Sequence, residues 1–288
     1  MSNLEPFFAD VQSHYDLSDE FFALFLDPSR TYSCAYFEHP DYSLEQAQLA
    51  KIDLALGKCN LRPGMRLLDV GCGWGSTMVR AMDRFDVDIV GLTLSRNQFD
   101  YAHSLLRQQD RGRRRAEVRL QGWEDFNEPV DRIVSIGAFE HFRHERYAAF
   151  FARCNALLPA DGRMLLHTIV QFNRHEIRAK GLPINREVLL FARFIQDEIF
   201  PGGQLPEQRA VVDSAEAAGF TVTRVHPLGP HYARTLDSWA AALRSHRDEA
   251  IRITSQQTYD TYEKYLTGCA QFFRDGYVDI MQFSLAKK

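Results

Sequence analysis

No stretch of this sequence approaches the ~20 consecutive apolar residues that a membrane-spanning helix needs. The first residues, MSNLEPFFADVQSHYD, have neither a basic start nor an apolar core of signal-peptide length. Cysteine is scarce: the five present (Cys34, Cys59, Cys72, Cys154, Cys269) are scattered and odd in number. They match neither a disulfide framework nor a zinc spacing, and a reduced, cytoplasmic interior is expected. An excess of one charge is also lacking. The 34 Lys and Arg against 38 Asp and Glu leave a net charge of −4, so nothing points to a nucleic-acid partner. There are no internal repeats and no low-complexity tract. What remains is a chain of 288 residues, 45% hydrophobic, ample for one core and too short for three domains.

Apolar runs alternate with helical patterns. Residues 66–70 (RLLDV) read as a strand, 76–85 as a helix, 87–92 as a second strand, and 95–109 as a helix for which Ser95 is a candidate N-cap. Segments 116–121 and 131–136 read as strands, 145–158 as a helix ended by Pro159, and 164–170 as a fifth strand. Such alternation predicts a parallel sheet covered on both faces. After Val170 the rhythm breaks into apolar helices over 172–200, closed by Pro201-Gly202-Gly203. A helix at 207–218, a strand at 220–226, two helices between 235 and 268 and a strand near 278–286 follow. The reading is one domain: an extension over 1–60, a core over 61–170, an insertion over 171–205, and completion of the sheet over 206–288.

The stretch LLDVGCGWGS, Leu67 to Ser76, puts Gly71, Gly73 and Gly75 directly after the first strand. A glycine turn at the carboxyl edge of an open α/β sheet lets a ligand approach the backbone. The spacing is tighter than the G-x-G-x-x-G dinucleotide fingerprint, and Asp69 adds a carboxylate, which suits a cation such as an aminoacyl sulfonium better than a pyrophosphate. The plainer alternative is a tight turn without a ligand. The second strand ends in Thr93-Leu94-Ser95-Arg96-Asn97-Gln98, with no acid for a ribose, which weakens a nicotinamide reading; Thr93 and Gln98 can bond a ribose as neutral groups. After the third strand, Trp123 offers an adenine an apolar face and Glu124 an acceptor for its exocyclic amine. Each could equally be an ordinary cap or core residue.

The blocks YDLSDEFFALFLDPSRTYSCAYF, LLDVGCGWG, GLTLSRNQ, IVSIGAFEHF, EIFPGGQLP, HYARTLDSWA and YLTGC resemble the mycolic acid cyclopropane synthase family of S-adenosylmethionine-dependent methyltransferases, from about residue 5 to the C-terminus. The resemblance implies an α/β, Rossmann-like class I methyltransferase sheet of seven strands, the last antiparallel. It implies transfer of the sulfonium methyl to a cis double bond of a very long acyl chain. Matched residue by residue, Tyr32 and Ser33 close over the methionine end and Leu67 to Gly75 form the loop, with Asp69 and Gly71 facing the cofactor. Thr93, Leu94, Ser95 and Gln98 serve the ribose, and Trp123 and Glu124 the adenine. Arg143 stands where family members often have glycine, so the loop after Glu140 is expected to differ in shape.

An alkene is a weak nucleophile, so the protein must supply alignment and a dry cavity. Attack leaves a carbocation that aromatic faces can stabilise, and a proton must then leave the new methyl group for a ring to close. The resemblance implies a bound bicarbonate as the base, on Glu140, His167, Tyr232 and backbone groups near Cys34 and Ile136. Taken alone, His167 inside an apolar strand reads as a satisfied core histidine. Cys269, in the YLTGC block, is a candidate for the pocket wall; a thiolate nucleophile has no evident task here. The insertion and Phe7, Phe8, Phe21, Phe22 and Phe25 are candidate walls of a lipid tunnel, or simply cover for the sheet edge. The resemblance also implies an acyl carrier protein as the donor of the chain. The cluster Arg107, Arg111, Arg113, Arg114 and Arg115 is a candidate docking patch for that acidic carrier or for anionic lipid at a membrane surface; the plainer reading is a solvated loop. Two alternatives stay open: capture of the same cation by water, giving a methyl-branched alcohol, and a non-catalytic lipid carrier.

Overall fold

Leu67 and Leu68, Ile133 and Val134, and Leu165 and Leu166 are consecutive apolar pairs, and a strand sends consecutive side chains to opposite faces. Each pair therefore feeds two cores, one on either side of a single sheet. The computed structural model describes residues 4–6, 18–109 and 114–288. Its sheet comprises β1 (Arg66–Val70), β2 (Asp88–Thr93), β3 (Ala116–Leu120), β4 (Arg132–Ile136), β5 (Arg163–Gln171), β6 (Phe220–Pro227) and β7 (Val278–Lys287). The seven strands lie in the order β3-β2-β1-β4-β5-β7-β6. β7 runs antiparallel to both neighbours and the first five strands pair in parallel.

Helices α1 (Asp19–Ala23) and α2 (Leu44–Lys58) form the extension; α3 (Ser76–Phe85), α4 (Arg96–Gln109) and α5 (Tyr147–Leu157) alternate with the parallel strands. Ser43 and Gln46 close a capping box at the start of α2, and Ser95 Oγ accepts the Gln98 N–H at the start of α4, as expected. The insertion folds as α6 (Arg174–Ala179), α7 (Arg186–Phe194) and one π turn (Ile195–Ile199). After α8 (Gln208–Ala217), the expected two helices are three: α9 (Gly229–Ser245), α10 (Arg247–Ile253) and α11 (Gln256–Asp275). α9 begins before 235 because Pro230 sits in its first turn, where a missing N–H breaks no helical bond.

Helix α2 covers the face of the sheet that carries Leu67, Val134 and Leu165, and contributes Ile52, Ala55 and Leu56 to that core. By alternation, Asp69, Ile136 and His167 point to the same face. Among the described residues no helix is long and apolar enough to cross a membrane.

Candidate active site

The carboxyl ends of β1, β2 and β4 open into a cleft with about 990 Å³ of empty space, part of it exposed to solvent. Tyr32, Ser33, Asp69, Gly71, Gly73, Thr93, Leu94, Gln98, Trp123, Glu124 and Ile136 all line it. The three loop glycines do different work. Gly71 (φ +84°) could not carry a Cβ, which would sit 2.4 Å from the Cβ of Ala138. Gly73 (φ +55°) faces open space. Gly75 (φ +91°) starts α3 and would press its Cβ to 3.3 Å from that of Ala102, behind the loop. Gly75 and Ser95 are thus not cleft residues: one packs against α4 and the other, fully buried, caps it.

The strap 31–33 is held over the cleft from α2. Gln48 Nε2 donates to the carbonyls of Thr31 (3.1 Å) and Ser33 (2.8 Å), and Lys51 Nζ donates to Ser33 Oγ (2.7 Å). Lys51 is fully buried, and burial lowers its amine to about 8. One oxygen of Asp69 is buried without a partner. Burial pushes that carboxyl up to about 7, with Lys51 opposing the rise. The sign follows: the empty cleft favours protonated Asp69, and a cation beside it favours the carboxylate. Cofactor affinity is therefore expected to weaken below about pH 7, by up to about tenfold per unit, and Asp69→Asn to flatten that dependence. Isothermal titration across pH 5.5–8.5 checks it; a flat wild-type profile would show that Asp69 shares no charge with the ligand.

Further along the cleft, Thr93 Oγ1 donates to Gln98 Oε1 (2.8 Å). The adenine candidates sit below β3. Trp123 is buried among Phe142 and Phe150. Glu124 Oε1 pairs with Arg146 (2.9 Å) and its Oε2 is buried without a partner. Gly122 makes room, since a Cβ there would meet Glu124 Oε2 at 2.4 Å.

A second group of polar residues lies past the carboxyl end of β4 and along the middle of β5. Glu140 lies in a 3-10 turn (Phe139–His141); its Oε1 accepts the Ile169 N–H (2.7 Å) and its carbonyl accepts that of Gln204 (2.9 Å). Glu140 Oε2 and His167 Nε2 are both buried with no partner. Burial raises the Glu140 carboxyl. Burial first, then the charges of Lys51, Lys58 and His226, push His167 far down, so its ring is neutral. Tyr232, in the first turn of α9, is held protonated by burial, and it feels the charges of Tyr32, Cys34, Cys269 and Glu140. The Cys34 thiol points to the carbonyls of Ala35 (3.1 Å) and Leu228 (3.9 Å), so only its backbone is left for a ligand. The Cys269 thiol packs at the margin of an aromatic cluster, and burial raises it, which disfavours the thiolate.

The whole-chain comparison decides the family: the model for mycolic acid cyclopropane synthetase matches residues 2–283. This chain belongs to that family. It is similar to cyclopropane mycolic acid synthase 1 of Mycobacterium tuberculosis, 59% identical over 284 residues and 99% of both chains. Among solved structures it is similar to the cyclopropane synthase MmaA2 from Mycobacterium tuberculosis, with a TM-score of 0.98 and 58% identity over 99% of this chain and 100% of that one. It is similar also to mycolic acid cyclopropane synthase CmaA1 complexed with SAH and CTAB, with a TM-score of 0.96 and 59% identity over 99% of each. The chain is a methyltransferase, with S-adenosylmethionine as its cofactor.

Arg143 carries a backbone cost. Its backbone sits at φ 57°, ψ 146°, a region that only glycine enters freely, at about 1–3 kcal/mol for other residues. Arg143→Gly is expected to raise stability by about 1 kcal/mol, read as a higher thermal midpoint. An unchanged or lower midpoint would mean that the contacts of the arginine offset its strain.

The arginine patch is partly committed elsewhere: Arg114 grips Asp86 with two bonds of 2.7 and 2.6 Å. Arg111 and Arg113 lie outside the described residues, as do Phe7 and Phe8. Phe21, Phe22 and Phe25 are core, packed edge-on against Tyr262 or tilted against Tyr32 and Trp74. In the insertion, Ile199 and Phe194 join the same aromatic cluster and Phe191 fills the notch above Gly268, whereas Leu189 and Leu190 are each 53% exposed. Lys51, Gly137, Ala138, Phe142 and Arg146, which line or brace the cleft, were not candidates from composition and motifs. A lysine amid Ala47, Ala50, Ile52, Ala55 and Leu56 was the available signal for Lys51.

Proposed function

We propose that this chain methylates a cis double bond of a very long acyl chain, a mycolic acid precursor, and closes a cyclopropane ring with bicarbonate as proton acceptor. The observation that carries the reading is the pair of buried, unpartnered polar atoms, Glu140 Oε2 in the turn after β4 and His167 Nε2 on β5, whose strand partner Ile136 lines the cofactor cleft. A neutral imidazole and a carboxyl of raised pKa suit an ion that both accepts and donates hydrogen bonds. The names of the relatives, and the SAH and CTAB held by CmaA1, support the same assignment.

The residues present fit the cofactor. Asp69 Oδ2 and Glu124 Oε2 are buried acceptors without partners, and Gly73 leaves its side of the cleft open. Bound there, S-adenosylmethionine supplies an electrophilic methyl group and bicarbonate a small base. The chain's own work is placement: Asp69 offers charge to the cationic end, Trp123 a face and Glu124 an acceptor to the purine end. Glu140 shares a proton with the anion, because two bare anions side by side would repel. Tyr232, Tyr265 and Phe200 present rings that stabilise positive charge on the acyl chain without capturing it. An acyl carrier protein delivers that chain.

Mass spectrometry of lipids from a mycolate-free host expressing this chain and fed a long cis-alkenoyl donor tests the reading. A product heavier by one CH2 with no added oxygen is expected. A product heavier by a further water would assign the hydroxy-methyl outcome. No change in mass, with no S-adenosylmethionine binding by calorimetry, would make the chain a lipid carrier.

A further inference from the structure

We propose that Lys58 and Gln282 are positioning residues that fix the tautomer of His167, placing its proton on Nε2 as a hydrogen-bond donor into the site. The proposal rests on reading the Glu140–His167 cluster as the proton-handling station.

The geometry is a row across four strands. Ile136 of β4 pairs with His167 of β5, His167 with Gln282 of β7, and Gln282 with His226 of β6. The His167, Gln282 and His226 side chains form one hydrogen-bonded string together with Lys58, the last residue of α2, which covers that face. Lys58 Nζ lies 2.5 Å from Gln282 Oε1 and 2.9 Å from His226 Nδ1, and Gln282 Nε2 lies 3.2 Å from His167 Nδ1. His167 and Gln282 are fully buried.

Donor and acceptor capacities leave one arrangement. An ammonium only donates, so the end of the Gln282 amide against Lys58 is the carbonyl. The other end is then the NH2, which also only donates, so His167 Nδ1 must present its lone pair. The ring is neutral in this surrounding of Lys51, Lys58 and His226, and a neutral imidazole has one N–H. That proton is on Nε2, the atom left buried and unpartnered by the protein. A lysine distant in sequence thereby sets which nitrogen faces the ligand, through an amide that cannot rotate without opposing two donors.

The test uses the full chain with histidine labelled in 15N and 13C, His167 being assigned by the signal lost in His167→Gln. At pH 7, without substrate, the neutral Nε2–H form is expected; a proton on Nδ1 would overturn the proposal. Gln282→Glu replaces the NH2 by an acceptor, and a proton is expected to appear on Nδ1. Lys58→Met frees the amide to rotate, and a mixture of tautomers is expected. These variants should bind S-adenosylmethionine within about twofold of wild type and lose turnover by about 10–100-fold. A wild-type tautomer in both variants overturns the proposal, and if Gln282→Glu fails to fold, Lys58→Met carries the test. The ring's state is read with no acyl substrate, so absence of cyclopropane product in the wild type would reject the proposed function and leave this inference standing.

Discussion

Glu140→Gln is expected to keep cofactor affinity within about twofold and to lose product formation by about 10²–10⁴-fold, the range ascribed to a positioned acid or base. The Ile169 N–H of β5 donates to Oε1 (2.7 Å), and a glutamine keeps that bond by turning its amide oxygen to it. The bond holds the amide oxygen of glutamine in place, so the NH2 falls where Oε2 now lies buried and open. On the proposed function a donor then stands where the bicarbonate would need an acceptor, and the ion would lose one side of its cradle. Asp69, Trp123 and Glu124 are untouched, so calorimetry with S-adenosylmethionine separates loss of chemistry from loss of folding. Full turnover in this variant would place the base elsewhere.

Gly71→Ala carries the second large effect. At φ +84° an L-residue is strained by about 1–2 kcal/mol. The new methyl would also lie 2.4 Å from the Cβ of Ala138, a side chain with no torsion to turn away by. Overpacking of this sort costs about 1–3 kcal/mol. Cofactor affinity is expected to fall by about 30- to 3,000-fold as the two terms are borne by the loop that must hold the ligand. Ala138→Gly in the same chain should recover the steric part and leave the strain. Gly73→Ala meets no atom within 4 Å, so only the strain of its positive φ (+55°) remains, and it should lower the thermal midpoint less than Gly71→Ala. Wild-type affinity in Gly71→Ala would show that the loop does not need its present path.

The strands, the cleft and most of its lining were legible because period-two apolar runs place each strand's carboxyl end, and an α/β sheet gathers its ligand there. Asp69, Trp123 and Glu124 follow from that alone. Gly75 and Ser95 lie in the same motifs yet face away from the cleft, since a motif gives position along a turn and not the side it presents. Lys58 and Gln282 were out of reach for another reason. They lie in segments far apart in the chain, and their partners are set only when α2 closes on the sheet and β7 inserts between β5 and β6. The phenylalanines of α1 read as tunnel wall, as cover for the sheet edge or as both, and the structure shows them buried in one aromatic cluster with Tyr32, Trp74 and Tyr262.

Lys51 and Lys58 are seven residues apart on α2, two helical turns, so they share one face at a separation of about 10 Å along the axis. One braces the strap beside the cleft and the other the string that ends at His167. The helix thus acts as a ruler whose graduations are set by backbone pitch. Inserting or removing one residue between them would swing one lysine by about 100° out of its slot. A change of length in α2 would therefore disturb the strap and the string together.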